Sequence, residues 1–380
     1  MELPASVHLV SLAWWIGSIL VRLTLVAAVF LHPRLRRARR DDQPPVSIII
    51  PVRQSEPDIA ASFGSVLSQS YPAFEVLVSA AEEYSPALAA YREVAARYPR
   101  TECRFLTGNP AIGLNPKVSN LAPAIAAARH DLILTKDSNV TLAAGQLAKI
   151  VRDLAGNAGL VCAIALGVCP KGLPARLECF ALNVYGPPPH LAASLVGLPA
   201  ALGKVTLFRR SDFERAGGIP EIADTISSED NALGWMFRAL GLRTVFNADP
   251  VSQHVGRRRF SDVWDRQLRW MVVRRAATPL VFLVEPFLGL LFTVFAGALG
   301  AAALDLPWWL SACGTIAVWR ALDTLILVGR GWGWSWKSLA AALCWDLLMP
   351  ALWFAALFAR TVRWGGSDIN LVASPRDRKR

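Results

Sequence analysis

Val46-Ser-Ile-Ile-Ile-Pro51 reads as a strand that is apolar on both faces. Three more short runs share its character: Glu75-Val-Leu-Val-Ser79, Asp131-Leu-Ile-Leu-Thr135 and Gly159-Leu-Val-Cys-Ala-Ile164. Helix-like stretches separate them, including Pro57 to Gln69 and Ser85 to Arg97. A strand without a polar face must be covered on both sides, and alternation with helices supplies that cover. The expectation is an α/β domain with a mainly parallel sheet, starting near Pro44-Pro45 and running for roughly 230 residues, enough for its own core.

Outward from that domain the chain turns apolar. Hydrophobic residues make up 53% of the 380 and charged residues 18%, with a mean hydropathy of +0.36. This is too charge-poor for a simple soluble domain, so part of the chain is expected in a membrane. Leu9 to Leu31 is apolar apart from Arg22 and long enough to cross a bilayer. Its positive charges, Arg34, Arg36, Arg37, Arg39 and Arg40, follow the apolar run, which marks an anchor with a cytoplasmic carboxyl end rather than a cleaved signal peptide. After Ala276, spans are expected near 286–304, 308–328 and 339–360, with Trp332, Trp334 and Trp336 as interfacial anchors. Three crossings conflict with the basic tail Arg376, Arg378, Lys379 and Arg380, and a re-entrant or interfacial last segment resolves the conflict. The domain reading is therefore 1–40 anchor and basic flank, 41–275 catalytic domain, 276–365 membrane region and 366–380 basic tail.

Forty Lys and Arg against 29 Asp and Glu leave a net charge of +11, which suits anionic headgroups and phosphate-bearing ligands. Nucleic acid is disfavoured because the arginines adjoin hydrophobic spans instead of alternating with exposed aromatics. The six cysteines form no CxxC pair, against a zinc ribbon or a disulfide scaffold. No 20-to-50-residue repeat is present, and neither a P-loop nor a GxGxxG after the first strand occurs.

In parallel sheets ligands gather at the carboxyl ends of strands, so polar residues just after apolar runs matter most. Lys136-Asp-Ser-Asn139 follows one such run; it is also an ordinary turn sequence. In Gly113-Leu-Asn-Pro-Lys-Val-Ser-Asn120, Pro116 stiffens the loop and Lys117 can face phosphate. Ser227-Ser-Glu-Asp230 is a good helix start with a serine cap, and it also offers a carboxylate able to take a proton from a hydroxyl. On a helix Arg266, Arg269 and Trp270 share a face. They offer two guanidinium forks and an aromatic plane, a lipid-headgroup contact, or plain ion pairs of Asp262 with Arg266 and Asp265 with Arg269. His190, His254 and Lys204 are read as structural ahead of any role at a diphosphate site.

Taken in order, these motifs resemble membrane-bound, family 2-like inverting glycosyltransferases of GT-A fold. The ceramide glucosyltransferase branch is matched more closely, through Gly113-x-Asn-Pro-Lys117-x-x-Asn120-Leu121, Asp137-Ser138, Glu229-Asp230, Arg266-x-x-Arg269-Trp270 and Glu285-Pro286. The resemblance implies a Rossmann-like GT-A domain with one amino-terminal and about three carboxyl-terminal membrane helices. It implies that Asp137, with a divalent cation (Mg2+ or Mn2+), holds the donor diphosphate, that Asp230 is the general base, and that Glu229 and Lys117 belong to the substrate site. Arg266, Arg269 and Trp270 would bind the departing diphosphate. The family's uridine-binding aspartate falls at Glu82 or Glu83, a departure that lengthens the side chain by one methylene; Asn139 departs as well. The implied partners are a UDP-sugar donor, a membrane lipid acceptor and the bilayer itself. The implied reaction is inverting transfer of a single hexose to a ceramide or sphingolipid hydroxyl, catalysed at the cytoplasmic face by a multi-pass membrane protein, in the inner membrane if bacterial. A hopanoid or diacylglycerol acceptor, a polysaccharide synthase and a non-catalytic lipid-binding scaffold remain the alternatives.

Overall fold

The computed structural model describes every residue except 1–2, 36–37, 54–57, 83, 85, 109–110, 226–228, 365–366 and 371–380. The chain folds into two compact units: an α/β unit of residues 33–169 and 193–254, and a helical unit of residues 1–32, 170–192 and 255–370. Residues 170–192 and 255–275 thus group with the apolar helices, where the sequence reading had placed them in the catalytic domain.

The α/β unit is built on β1 (Val46–Val52), β2 (Phe74–Ala80), β3 (Glu102–Leu106), β4 (Leu132–Lys136), β5 (Val140–Thr141), β6 (Ala158–Cys162), β7 (Ala165–Lys171), β8 (Val205–Arg209), β9 (Arg243–Phe246) and β10 (Val251–Arg257). The main sheet has the order β3-β2-β1-β4-β8-β6-β9. Its first four strands are parallel, β8 runs antiparallel to both neighbours, and β9 is parallel to β6. Ile48, Ile50, Val76 and Val78 pack with Phe63, Val66, Leu88 and Tyr91, while Ile49, Leu77 and Ile133 are buried on the opposite face. Burial on both faces is what runs without polar alternation require, and each such side chain contributes about 1.5–3 kcal/mol. Because β8 is antiparallel to β4, the start of β8 meets the end of β4, with Val205 opposite Lys136. This one topological feature brings two distant loops to the same sheet edge. A short ladder also sets Ser252 opposite Thr141 and Gln253 opposite Val140.

In the helical unit, Ala5–Leu31, Trp308–Gly329 and Trp336–Phe358 are long and apolar enough to cross a membrane. Pro279–Leu288 and Leu290–Leu304 form a pair bent by 57°, a broken span or a re-entrant loop. The break therefore falls in the first apolar stretch after the basic helix, whereas the sequence reading put it in the last. Gly289 lies at the bend, and Gly300 lets two helices close up: a Cβ there would stand 2.7 Å from Leu12 backbone atoms. The apolar helices also carry charge. Arg22 pairs with Asp323, and Arg320 stands 3.1 Å from Asp323 and 3.0 Å from Asp346. Trp334 and Trp336 are exposed, whereas Trp332 is buried beneath the Arg330 guanidinium and its backbone oxygen accepts from Asn183 at 3.0 Å. It is a packing residue, which corrects the expectation for one of the three tryptophans.

Candidate functional site

Lys117 is placed by the start of its helix, Pro116–Ala127. Asn115 caps that helix, its side chain accepting from the backbone N–H groups of Lys117 (3.0 Å) and Val118 (3.3 Å), and proline occupies the first turn, where its missing N–H costs nothing. The Lys117 ammonium lies 2.9 Å from an Asp137 oxygen and 2.8 Å from a Glu229 oxygen, and donates to the Gly203 carbonyl at 3.1 Å. Asp137 directly follows β4, and its second oxygen is 2.9 Å from the Lys204 ammonium. The carboxylate thus engages two lysines instead of capping its own turn. Glu229 and Asp230 open the helix Glu229–Ala239. Asn115 also donates to Glu229 at 3.2 Å and to the Thr225 carbonyl at 2.8 Å, tying the lysine loop to the acid loop. Asp230 accepts from the backbone N–H groups of Gly203 (2.9 Å) and Asn231 (2.8 Å). A Cβ at position 203 would lie 3.3 Å from that carboxylate, so glycine permits the backbone to approach. The structure therefore brings together Lys117, Asp137, Glu229 and Asp230, all four singled out from sequence. The serine cap expected at 227–228 lies outside the described residues.

The two adjacent acids differ in charge state. Burial opposes ionisation of Glu229, but the Lys117 ammonium outweighs it and holds the carboxyl below its usual range. Asp230 is pushed up to about 6, first by burial and then by the negative charge of Glu229. A cavity of about 10 Å³ behind it, partly lined by Leu121, Ile125, Phe213 and Leu233, has room for at most about one water. Asp137 is held well below the carboxylate range, since Lys117 and Lys204 together overcome the effect of burial. Lys117 is raised by Asp137 and Glu229 despite its own burial. The result is a lysine-bridged anion pair beside a carboxyl poised to exchange a proton near neutrality.

Among the described residues no group of three His, Cys, Asp or Glu forms a cation cage. Asp137 nevertheless fits a hard divalent cation that takes one carboxylate from the protein and further oxygens from a diphosphate, the usual arrangement for Mg2+. One of the two lysine contacts must yield for this.

Glu82 is exposed after β2, and Glu83 lies outside the described residues. Arg266, Arg269 and Trp270 belong to the helical unit, on Phe260–Ala277. Arg266 pairs with the buried Glu178, and Asp262 accepts from the Arg259 backbone at 2.9 Å as part of the helix cap, so the alternative of a plain Asp262–Arg266 ion pair gives way to other partners. His254 faces Asp58 at 3.1 Å, and His190 bonds the Gly186 carbonyl at 2.8 Å. Sequence reasoning missed Asn115 as the link between loops and Glu178, and it weighed Lys204 as a structural residue or a donor-phosphate contact, not as the second partner of Asp137. Asn115 carried a signal in its place in the Gly-x-Asn-Pro-Lys motif.

The profile of glycosyl transferase family 21 matches residues 5–376. Ceramide glucosyltransferase 1 of Caenorhabditis elegans is 21% identical over 366 residues, covering 93% of this chain and 78% of that protein. Ceramide glucosyltransferase 3 of the same worm is 22% identical over 361 residues, covering 92% and 78%. Among solved structures, the mannosyltransferase PcManGT from Pyrobaculum calidifontis, in complex with GDP-Man and Mn2+, superposes with a TM-score of 0.55 at 17% identity over 92% of this chain and 99% of that one. At that identity it speaks for the fold alone, a GT-A core with apolar helices. The family match sets aside the reading as a non-catalytic scaffold: the chain belongs to glycosyl transferase family 21 and is a glycosyltransferase.

Proposed function

We propose that the protein moves one hexose from a UDP-sugar to a hydroxyl of a ceramide or related sphingolipid at the cytoplasmic membrane face, with inversion at the anomeric carbon. The observation that carries this reading is the unequal acid pair at Lys117: Glu229 held ionised, and Asp230 at about 6. Asp230 accepts the proton of the acceptor hydroxyl, its carboxylate oriented by the Gly203 and Asn231 N–H groups. Lys117 and Lys204 meet the donor diphosphate as point charges, one of them leaving Asp137 to do so. Mg2+ or Mn2+ held by Asp137 and the diphosphate supplies further neutralisation of leaving-group charge. Arg269 and Trp270 hold the departing diphosphate, and Glu82 contacts the uridine.

The names of the worm relatives support ceramide as the acceptor class. Among the described residues, three helices of crossing length and one bent pair are too few to wall a polymer channel, which supports a single transfer. With the bent pair re-entrant, two crossings after the basic helix return the chain at Phe358 to the side of Arg34 and Arg39. The experiment is to incubate purified protein with a panel of UDP-sugars and a total lipid extract and to identify the new glycolipid by mass spectrometry. A monohexosyl sphingolipid is expected. A glycosylated hopanoid or diacylglycerol would replace the acceptor, a polymer would replace the single transfer, and no glycolipid with any UDP-sugar would sink the reading.

A further inference from the structure

Glu178 is fully buried on the short helix Leu173–Phe180, yet it carries a carboxylate with a guanidinium at each oxygen. Arg266 pairs with one oxygen, and the Arg258 Nε stands 3.3 Å from the other. The next residue, Cys179, joins Ala175, Leu182 and Val255 in an apolar cluster against which Trp270 packs. The two contacts are matched in spacing. Ala175, Glu178, Cys179 and Leu182 recur at helical intervals along one face, and Arg266 and Trp270 are one turn apart on the other helix. A polar contact at one turn and an apolar contact at the next fix both rotation and axial position of the helix Phe260–Ala277. Arg269 lies between them in sequence, about 60° around the axis from Arg266 at roughly 100° per residue, so its direction follows from the clamp.

We infer that Glu178 is the positioning residue of the Arg-x-x-Arg-Trp segment: by engaging Arg266 it aims Arg269 and Trp270, and Arg266 serves the clamp and not the leaving diphosphate. The inference rests on the reading that this segment binds the departing diphosphate. The Arg266 guanidinium is engaged through a terminal nitrogen by a desolvated carboxylate, which offsets its charge and fixes its direction toward Glu178. Immediately after the clamp the chain makes a π-helical turn, Ala181–Tyr185, a local irregularity that recurs near functional sites.

The test uses full-length protein in nanodiscs, with UDP-glucose and a short-chain ceramide for turnover and UDP alone for binding. Glu178→Gln is expected to lower kcat about 100-fold, the cost of a misplacement of about 1 Å, with KM for UDP-glucose changed less than about threefold. Glu178→Asp keeps the charge and recovers part of the loss. Arg266→Gln is expected to resemble Glu178→Gln in both kcat and UDP affinity, and the double variant to be no worse than either single one. Wild-type kcat in Glu178→Gln, or a UDP affinity in Arg266→Gln well below that of Glu178→Gln, overturns the inference. Should Glu178→Gln not accumulate as folded protein, Glu178→Asp and Arg266→Gln decide it by the same two readouts. Arg269→Gln separates the layers: full activity there sinks the diphosphate reading itself, while a dead Arg269→Gln beside an unaffected Glu178→Gln sinks only the clamp.

Discussion

Lys117, Asp137, Glu229 and Asp230 in the α/β unit, and Arg22, Arg320, Asp323 and Asp346 among the apolar helices, are both sets of opposite charges drawn out of water, but they are held in different ways. In the helical set each carboxylate faces a guanidinium: Asp323 faces Arg22 and Arg320, and Asp346 faces Arg320. All four project from three long helices, where an unpaired charge in hydrocarbon is expensive. In the α/β set the residues sit at a strand end and two helix starts, and Asp230 takes its bonds from backbone N–H groups rather than from an ammonium group. Reciprocal pairing fixes architecture, whereas the carboxyl outside the pairing keeps a proton affinity that chemistry can use.

Asp230→Asn breaks the comparison most severely. Loss of the proposed general base costs about 10²–10⁴ in rate, so the proposed hexose transfer should become barely detectable while UDP titration gives an affinity near that of the unaltered enzyme. A fully active Asp230→Asn would deny the α/β set its chemical role. Asp323→Asn applies the same kind of change to the helical set and should act on stability. Removing one partner of a buried pair costs about 3–5 kcal/mol, read as a lower thermal midpoint in detergent, with turnover per folded molecule close to wild type. A stable but inactive Asp323→Asn would erase the distinction.

Lys117→Met is the intermediate case, because Lys117 belongs to the paired part of the reactive set. Its charge-assisted contacts are worth about 1.5–3 kcal/mol, so KM for the UDP-sugar should rise about 10- to 100-fold. Asp137 and Glu229 are then left facing each other without the bridge, so the thermal midpoint should fall as well.

Much of this was legible before folding, and the exceptions have physical causes. The strands could be read because runs such as Val46–Val52 have no polar face and hence one stable environment. Lys117, Asp137, Glu229 and Asp230 could be read because each follows or opens a regular element, where side chains face a shared edge. Lys204 could not, since its meeting with Asp137 depends on β8 entering the sheet antiparallel to β4, a long-range event without a local pattern. Glu178 was illegible for another reason: a glutamate in a short helix ordinarily faces water, and only the two arginines supplied by distant residues make its burial tolerable. The bend at 288–290 was missed because mean hydropathy is the same for a straight and a broken apolar run, although Pro286 and Gly289 are breaker residues.

The smallest expected effect sharpens the comparison most, because its sign is set by two neighbours acting in opposite directions. Asp230 must be ionised to accept a proton, and its carboxyl stands at about 6, so kcat/KM should fall on the acid side with a midpoint near pH 6. Burial is the main cause; the charge of Glu229 adds to it, and the charge of Lys117 subtracts from it. Glu229→Gln removes a negative charge and should shift the acid limb to lower pH, whereas Lys117→Met removes a positive charge and should shift it to higher pH. Structural damage would lower the whole profile without moving its midpoint, so opposite displacements can arise only if Asp230 titrates in the field of both neighbours. Equal midpoints in the two variants would mean that the acid limb belongs to another group, and Asp230 would then join the architectural charges.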